Sequence, residues 1–395
     1  MPSFDAIVVG GGPSGSLSAY HLATAGKRVA LVDRAEFPRD KPCGGGLTLR
    51  AVRQLPFPVD PVVEHVVDSF EFRLGYERSY RRTAREPLVL MTQRRRLDAF
   101  LVDQARRAGA EVLERTRVTA VEQAGDAVAA TTANGEVLEA AALVGADGVN
   151  GVTAKQLRLG EGPTYGVAFE GNVPYAAIGD DRYRGRAVFE LNTVPGGYGW
   201  VFPKGDHANF GVGGWEQQGP DLRAHLRILC ERHGVDPDAL EHMRGHRLPL
   251  RRPEAGLARG RTLVVGDAAG LVDPVSGDGM FECFVSARIA AEAVVNLLEG
   301  RASSVEPYDV RVREKLGPLV SASWGAKVAF DRYPRLAFEL TRPPFVWSVV
   351  ERLIRGDLSH PGASRGPARW ALKAMRAAAR LKGDPGDRYR ERAAA

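Results

Sequence analysis

Cysteine is scarce in this chain of 395 residues, and its scarcity excludes two kinds of protein. The three cysteines, Cys43, Cys230 and Cys283, are too few and too far apart for the disulfide framework of a small secreted domain or for a structural zinc site. The eight histidines show no H-E-x-x-H or similar spacing, so no metal site is predicted. We therefore expect a reduced, cytoplasmic chain that binds no metal ion.

Long apolar runs are also missing. No stretch approaches the roughly 18 apolar residues of a membrane-spanning helix. The N-terminus lacks the basic region of a signal peptide and leads straight into a strand-like run over 6–9. Glycine (45) and proline (25) together stay below the ~25–30% that is typical of disorder. A purely fibrous or disordered protein is excluded, and the length predicts two or three domains, or one large domain with insertions.

The net charge of +6 comes from one end of the chain. Residues 341–395 hold 12 Arg and Lys against 5 Asp and Glu, so the remainder is close to neutral, and we expect no nucleic-acid partner. Within this tail, basic residues recur every three or four positions from Arg365 to Lys382. Two interpretations stay open: a helix that lies on an anionic membrane, peripheral on its inner face, or an ordinary solvated helix.

The start of the chain reads as a strand, a glycine-rich turn, a helix and a second strand. The two strands are predicted over 5–9 and 29–32. Between them lies Gly10-x-Gly12-x-x-Gly15, with Ser14 inside the turn. Gly10 permits the tight turn, Gly12 lets a pyrophosphate approach and Gly15 allows close packing, while the helix N-terminus attracts phosphate. Asp33 ends the unit, where it can accept a hydrogen bond from a ribose hydroxyl, so we predict a dinucleotide site.

The rest of the chain alternates between β-rich and helical patterns. Short strands are predicted over 118–121, 128–132, 136–138, 142–145 and 262–265, a β-rich region over 163–255, and a helix over 280–299. The last ninety residues read as helices interrupted by prolines. These patterns predict an α/β fold in which a β-sheet domain is inserted into a Rossmann-type domain, followed by a helical C-terminal region.

A second glycine-rich element near residue 270 indicates which dinucleotide is bound. The runs 266–270 and 273–279, together with the opening unit, resemble the FAD domain of the para-hydroxybenzoate hydroxylase-like flavoproteins. The resemblance implies FAD as the cofactor, with Asp267 on its ribityl chain. It also implies that the helix beginning at Gly279 and Met280 points at the isoalloxazine, where a helix dipole stabilises the negative charge of the reduced ring.

The same resemblance extends to the middle of the chain. Arg94 matches the arginine that reaches the adenosine side of FAD, although three adjacent arginines alone would read as a solvated helix start. Val118 is implied as a further cofactor contact. Asp147 matches the superfamily's middle motif, but Gly151 and Thr153 depart from the serine and arginine that are common there, so we expect this segment to support packing.

Two further motifs narrow the resemblance to the geranylgeranyl reductases. The loop Lys41-Pro42-Cys43-Gly44-Gly45-Gly46 resembles the cysteine-glycine loop that lies near the flavin in those enzymes, which implies that Cys43, Gly44 and Gly46 contact FAD. Taken alone, Cys43 could equally be an inert small residue. The run 195–204 resembles the family's P-x-x-Y-x-W-x-F-P signature.

A strand with a period of two places Tyr198, Trp200 and Phe202 of that signature on one face. Such a stripe taken alone is more often core. Beside the flavin motifs it predicts an aromatic wall that binds an isoprenoid chain. Cys43 and Tyr198 are the candidate proton donors, and Tyr198 and Trp200 could stabilise cationic character on the chain through their π faces.

The resemblance implies an FAD-dependent reductase that saturates C=C bonds of a polyprenyl, geranylgeranyl-type chain carried by a lipid, a quinone or a diphosphate. No second dinucleotide motif is visible, so electrons would come from transiently bound NAD(P)H or from a separate reductase or ferredoxin. The predicted FAD domain comprises 1–66, 92–162 and 256–300, the β-sheet substrate domain 67–91 and 163–255, and the helical region 301–395.

Two alternatives stay open. One is a flavin monooxygenase or halogenase on the same scaffold, although the stretch from Tyr198 to Pro203 differs from the W-x-W-x-I-P run of halogenases. The other is a membrane-associated flavin electron carrier without an organic substrate of its own. Oxidase activity measured against isoprenoid turnover separates the three.

Overall fold

Two large β-sheets and a set of helices form the structure, a computed structural model that describes residues 4–160, 162, 164–250 and 256–364. The strands are β1 (Phe4–Val9), β2 (Val29–Val32), β3 (Gly46–Thr48), β4 (His65–Val67), β5 (Ser69–Leu74), β6 (Arg78–Thr83), β7 (Val89–Met91), β8 (Glu111–Leu113), β9 (Val118–Ala124), β10 (Ala127–Thr132), β11 (Val137–Gly145), β12 (Thr164–Pro174), β13 (Arg186–Leu191), β14 (Tyr198–Pro203), β15 (His207–Trp215), β16 (Glu241–Leu250), β17 (Ala258–Arg259) and β18 (Thr262–Val264). The helices are α1 (Pro13–Thr24), α2 (Leu49–Val52), α3 (Arg94–Arg107), α4 (Thr153–Leu157), α5 (Tyr175–Ile178), α6 (Leu222–Arg232), α7 (Met280–Leu298), α8 (Pro307–Arg332), α9 (Pro334–Thr341) and α10 (Pro344–Arg355).

The first sheet contains the opening unit and has the strand order β17-β18-β11-β1-β2-β8. Strand β1 lies between β2 and β11 and pairs with both in parallel. Its side chains are buried on both faces: Ala6 and Val8 pack into the helical core, whereas Ile7 and Val9 pack under the β9–β10 hairpin. This double burial explains why β1 is a continuous apolar run rather than an alternating one.

One strand of this sheet is longer than the sequence pattern predicts. The strands expected over 136–138 and 142–145 form one continuous strand, β11. Ala140 pairs with Val128 of β10 and also with Phe4 of β1. Alanine has a weak intrinsic preference for strands, so the run of alanines reads as a break, but pairing on both sides overrides that preference.

The second sheet has the order β16-β12-β15-β14-β13-β5-β6 and is antiparallel except for the parallel pair β13–β5. One face packs against α6 through a core that includes Phe210, Val212 and Leu229. Strand β7, which falls within the predicted substrate domain, pairs with β3 and β4 in a small third sheet. The domain boundaries drawn from the sequence stay a prediction.

The C-terminal region is helical over its described part, as predicted. Pro334 and Pro344 are the first residues of α9 and α10, where a missing backbone N–H costs nothing. Trp347 of α10 is buried against the second sheet. Among the helices that the structure describes, none is long and apolar enough to cross a membrane. The basic helix expected over 365–382 lies outside the described residues.

Candidate functional site

The glycine turn at the end of β1 brings three chain segments into close contact. Gly10 has φ +108°, and a Cβ there would lie 2.6 Å from the carbonyl carbon of Ala146. A Cβ on Gly15 would overlap the carbonyl oxygen of Gly10. Both glycines are therefore required for α1 to cross β1 and β11 at this distance. A Cβ on Gly12 would lie 3.7 Å from Arg39 Nη2, an ordinary contact distance, so space remains beside the helix N-terminus.

Two side chains fix the geometry of this turn. One Asp33 carboxylate oxygen accepts a hydrogen bond from the Gly11 N–H (2.6 Å), and the other accepts one from the Ala35 N–H (2.7 Å). A carboxylate has further lone pairs, so Asp33 can still accept a hydroxyl. Ser14 is buried in α1, and a Cβ on Gly266 would lie 2.6 Å from its hydroxyl oxygen. The opening motif and the Gly266–Gly270 motif thus lie side by side.

Asp267 lies at this junction and is ionised. Its carboxylate lies 3.2 Å from the Lys41 ammonium and 3.7 Å from His246 Nε2. Burial alone would raise the pKa of Asp267, but Lys41 and His246 outweigh burial and hold this pKa well below its usual range. A charged acceptor is what a hydroxylated ribityl chain would bind, as the sequence predicts.

Arg94 differs from the two arginines that follow it. Its side chain is only 7% exposed, whereas Arg95 and Arg96 are exposed, so the interpretation as a solvated helix start is wrong for Arg94. The guanidinium donates two hydrogen bonds to Asp98, at 2.6 and 2.8 Å. Burial opposes the charged form, but Asp98 keeps the Arg94 pKa above its usual value. Contact with the adenosine side of FAD stays a prediction.

Two other positions have packing roles. The Val118 side chain is buried in the core under the β9–β10 hairpin, so a cofactor contact there would have to come from its backbone. The Asp147 carboxylate accepts hydrogen bonds from the Val152 N–H (2.7 Å) and the Thr153 N–H (3.0 Å). Gly151 allows this contact, because a Cβ there would overlap the carboxyl group. The departure from the superfamily pattern is therefore a local packing solution, as expected.

The cysteine-glycine loop is held against the second sheet by two charged residues that sequence reasoning did not identify as site residues. Glu170 of β12 accepts a hydrogen bond from the Cys43 N–H (2.6 Å). Lys204, which follows β14, donates to the Gly44 carbonyl and to the Thr92 carbonyl (2.8 Å). Both side chains are buried. Only Lys204 had a signal in the sequence, because it ends the run that resembles the aromatic signature. Nothing in the sequence pointed to Glu170.

The three glycines of this loop make its close approach to the second and third sheets possible. A Cβ on Gly44 would lie 2.8 Å from Phe202, and a Cβ on Gly45 would overlap the Lys204 ammonium. Gly45 also has φ +73°, where a side chain is disfavoured. A Cβ on Gly46 would lie 3.0 Å from Val89 of β7. The loop therefore presents backbone, rather than side chains, to its surroundings.

The predicted aromatic face exists. The ring centroids of Tyr198 and Trp200 are 6.0 Å apart, and those of Trp200 and Phe202 are 6.1 Å apart, so all three side chains share one face of β14. The Trp200 indole N–H donates to Asn209 (2.8 Å), and the ring lies across Gly211, where a Cβ would overlap it. The indole is therefore fixed in orientation and buried, with 7% exposure.

The aromatic face extends beyond β14, which sequence reasoning missed. Phe189 of β13 lies 5.3 Å from Phe202 and 5.4 Å from Phe72 of β5, measured between ring centroids. Trp347 of α10 packs on Phe70 at 5.8 Å and on Phe72 at 6.4 Å. Aromatic residues that alternate along β5 were the only sequence signal for this extension. The register of β13 with β5 and with β14 is what shows that β5 continues the face of β14.

The loop that precedes α7 joins this face to the first sheet. The Tyr198 hydroxyl donates to the Ser276 carbonyl, and burial together with the nearby Asp278 and Asp273 raises the pKa of Tyr198. Asp278 accepts a hydrogen bond from the Met280 N–H (2.9 Å) at the first turn of α7. A Cβ on Gly279 would lie 3.6 Å from Asp267, so the N-terminus of α7 and the ionised Asp267 are neighbours.

Glu282 in the first turn of α7 is a buried carboxyl that sequence reasoning also missed. Its exposure is 1%, and neither carboxyl oxygen has a hydrogen-bond partner among the described residues. Burial raises the pKa of Glu282 to about 8, and the like charges of Asp273 and Asp278 act in the same direction against Arg50. At neutral pH the side chain is therefore largely protonated.

Comparisons with known proteins identify the family of this chain. The family model of the FAD binding domain matches residues 3–306. An uncharacterized protein of Methanosarcina barkeri is 31% identical over 86% of this chain and 87% of its own length. The geranylgeranyl diphosphate reductase of Rhodobacter capsulatus is 32% identical over 78% of each chain. The menaquinone reductase of Mycobacterium tuberculosis is 30% identical over 87% of this chain and 86% of its own length.

The chain belongs to the geranylgeranyl reductase family of FAD-binding proteins. Solved structures show the same fold. A geranylgeranyl bacteriochlorophyll reductase-like protein of Thermoplasma acidophilum has a TM-score of 0.80 at 21% identity and covers 96% of this chain and 97% of its own. A flavin-dependent brominase has a TM-score of 0.75 at 18% identity, with 95% and 98% covered.

The residues present in this geranylgeranyl reductase-family chain fit FAD, which is its cofactor. The space beside Gly12 and the α1 N-terminus suits the phosphates, Asp33 retains lone pairs that can accept a ribose hydroxyl, and the ionised Asp267 suits the ribityl hydroxyls. Contacts of individual residues with FAD, including those of Cys43, Gly46 and Met280, stay predictions.

Replacement of Asp267 by alanine is expected to weaken FAD binding. The change removes a charge-assisted hydrogen bond of roughly 1.5–3 kcal/mol, or about 10–150-fold in Kd. Titration of the FAD-free protein with FAD, followed by flavin fluorescence, measures the effect. Asp103→Ala, which removes an exposed acid of α3 paired with Arg107, is the control and should leave the Kd unchanged. Equal Kd values for the two variants would contradict the role of Asp267.

Replacement of Glu282 by glutamine is expected to change how stability depends on pH. Because the pKa of Glu282 is raised in the folded state, its protonated side chain favours the folded protein at pH values below the unfolded pKa of ~4.3. This contribution to stability is lost as the pH rises to the folded pKa of about 8. The free energy of unfolding of Glu282→Gln should therefore exceed that of the parent chain by an amount that grows across this pH window, to the order of a few kcal/mol. Urea unfolding of both chains at mildly acidic and mildly alkaline pH measures it, with Glu314→Gln at an exposed position of α8 as control. The same gain at both pH values would show that Glu282 does not titrate in this window.

Proposed function

We propose that this protein saturates isolated C=C bonds of a polyprenyl chain carried by a lipid, a quinone or a diphosphate. The observation that carries the proposal is the continuous aromatic face of Tyr198, Trp200, Phe202 and Phe189, which adjoins the cysteine-glycine loop. Geranylgeranyl diphosphate and menaquinone reductases among the relatives support a prenyl substrate. An aromatic surface suits a long, apolar and branched chain because it offers a large contact area without polar groups.

Bound FAD supplies a two-electron reductant to this site. An isolated trisubstituted alkene is a poor hydride acceptor, because nothing in it stabilises a carbanion. Protonation of one alkene carbon would place cationic character on the tertiary carbon, and the π face of Trp200 can stabilise that charge. Asn209 keeps the indole in one orientation, and Ser276 does the same for Tyr198. The aromatic face would thus bind, orient and shield the double bond.

The C-terminal helices would cover the chain on its other side. Trp347 contacts Phe70 and Phe72, and Phe338 of α9 lies 5.1 Å from Tyr80 of β6 between ring centroids. These contacts place α9 and α10 along the edge of the aromatic face. We propose that the prenyl chain lies on the part of the aromatic face that these helices do not contact, and that the helices exclude water from its edge.

Electrons for FAD would come from NAD(P)H or from a separate reductase or ferredoxin. Membrane association would rest on the basic segment beyond residue 364. We retain a cytoplasmic protein, peripheral on the inner membrane face, as the proposed location. Deleting residues 365–395 while measuring binding to anionic vesicles addresses the membrane contact separately from catalysis.

Trp200→Ala is expected to impair reduction of a prenyl lipid without loss of FAD. Removing this apolar contact corresponds to about 1.5–3 kcal/mol, which should raise KM or lower turnover by about 10–150-fold. The matched control is Phe169→Ala, an aromatic on the opposite face of the same sheet, where it packs with the α6 core. The FAD content of both variants, read from flavin absorbance, should equal that of the parent protein.

The product decides between the proposal and its alternatives. Under anaerobic conditions with reduced protein, each saturated bond should add the mass of two hydrogen atoms, and turnover in D2O should place deuterium on the carbon that receives the proton. A product that requires O2 and gains the mass of one oxygen atom, or a halogen, would replace the proposal with a monooxygenase or halogenase. Flavin reduction and oxidation without any lipid product would favour an electron carrier.

A further inference from the structure

Glu170 is the carboxyl that the substrate sheet presents to the cysteine-glycine loop. It lies in the middle of β12, directly opposite Gly211 of β15, and Gly211 lies opposite Trp200 of β14. Residues in register across neighbouring strands point to the same side of a sheet, so Glu170 and the aromatic face share one side. Because the Trp200 ring lies across Gly211, which has no side chain, the indole and the Glu170 carboxyl occupy neighbouring positions.

The surroundings of Glu170 favour a carboxyl that keeps its proton. The side chain is 8% exposed, and one oxygen is held by the Cys43 N–H at 2.6 Å. Burial raises the pKa of Glu170, and the hydrogen bond from Cys43 and the positive charges around it only partly offset burial. The charged groups facing it are Lys204 at the end of β14, Arg94 of α3 and Arg244 of β16.

Each of these cations has another partner as well. Lys204 is only 2% exposed and donates to two backbone carbonyls, and burial lowers its own pKa against the opposing effects of Cys43, Glu170 and Glu64. Arg94 is paired with Asp98, and Arg244 lies 3.6 Å from Asp40. Each cation therefore interacts with other acceptors as well as with Glu170. This is consistent with a Glu170 carboxyl that is easier to protonate than an exposed carboxyl.

The candidate acids named from the sequence are less suitable. The Tyr198 hydroxyl already donates to the Ser276 carbonyl, and its pKa is raised by burial, so it is a weak acid held by a fixed partner. The Cys43 sulfur accepts a hydrogen bond from the Gly45 N–H at 3.4 Å, so its hydrogen-bond partner lies within its own loop. Glu170 combines burial, a fixed oxygen and a position beside the aromatic face.

We propose that Glu170 is the acid that protonates the double bond, with the Cys43 N–H holding the carboxyl and Lys204 holding the adjoining loop in position. This rests on the proposed function. One alkene carbon would take a hydride from the reduced flavin, and the other would take the proton of Glu170. Two C–H bonds would form, while the flavin N–H bond that carries the hydride and the carboxyl O–H bond would break. The flavin would be oxidised by two electrons and the alkene reduced by two. The resulting carboxylate then regains one proton from solvent.

Two substitutions separate a proton donor from a residue that only positions the loop. Glu170→Gln keeps an oxygen that can accept from Cys43 N–H but has no proton to give, whereas Glu170→Ala removes both. We expect Glu170→Gln to retain FAD and to lower prenyl turnover by about 100-fold or more, with loss of the pH dependence set by the acid. Glu190→Gln is the control, since Glu190 is a buried carboxyl on the opposite face of the same sheet, paired with Arg73 and His233.

Infrared difference spectroscopy across a pH titration gives a readout that is independent of turnover. The FAD-loaded parent protein should show a carboxyl C=O band that persists above the pH at which an exposed glutamate ionises, ~4.3. Glu170→Gln should remove that band. Glu282 and Asp278, whose pKa values burial also raises, are expected to give further such bands, so the difference between the parent and Glu170→Gln spectra identifies the band of Glu170.

The outcomes separate this inference from the proposed function. If the parent protein reduces no prenyl lipid, the proposed function fails, whatever the infrared result. If the parent is active and Glu170→Gln is equally active, or only Glu170→Ala is impaired, the carboxyl positions the loop and the proton-donor assignment is overturned. An infrared titration unchanged by Glu170→Gln would also overturn it. Loss of turnover with retained FAD and a lost band supports it.

Discussion

A buried ammonium group joins the two halves of the site, and the remaining geometry depends on it. Lys204 leaves the second sheet and donates to the carbonyls of Gly44 and Thr92, both of which belong to the part of the chain that precedes α3. A buried charge is tolerated only where its donors are satisfied, so these carbonyls are obligatory partners. Gly45 is required beside it because any side chain would occupy the position of the ammonium.

Several features follow from this contact. It holds the cysteine-glycine loop against β14, so that Phe202 lies against Gly44 and the aromatic face begins at the loop itself. The face then continues over β13 and β5 until it meets Trp347 of α10. On the other side, Tyr198 connects the sheet to the loop that leads into α7. The aromatic surface and the FAD motifs are thereby fixed relative to one another.

The parts of the fold that are local in sequence were predictable, and those that depend on distant pairing were not. The strand, glycine turn and helix at the start of the chain, and the shared face of Tyr198 and Trp200, follow from spacing alone. Glu170 could not be found this way, because its role depends on β12 pairing with β15 and on the approach of Cys43 from elsewhere. Arg94 was not separable from its two neighbours by residue type alone; the family resemblance singled it out, and its burial and its pairing with Asp98 show how it differs from them.

We propose that reduced flavin in this protein passes its electrons to a prenyl double bond, and flavin absorbance tests this directly. The FAD-loaded protein is reduced with dithionite without O2 and mixed with an unsaturated prenyl lipid or with its fully saturated counterpart. The account predicts that oxidised-flavin absorbance returns with the unsaturated lipid, in proportion to the double bonds supplied, and not with the saturated one. Flavin that stays reduced with every prenyl lipid, and reoxidises only when O2 is admitted, would contradict it.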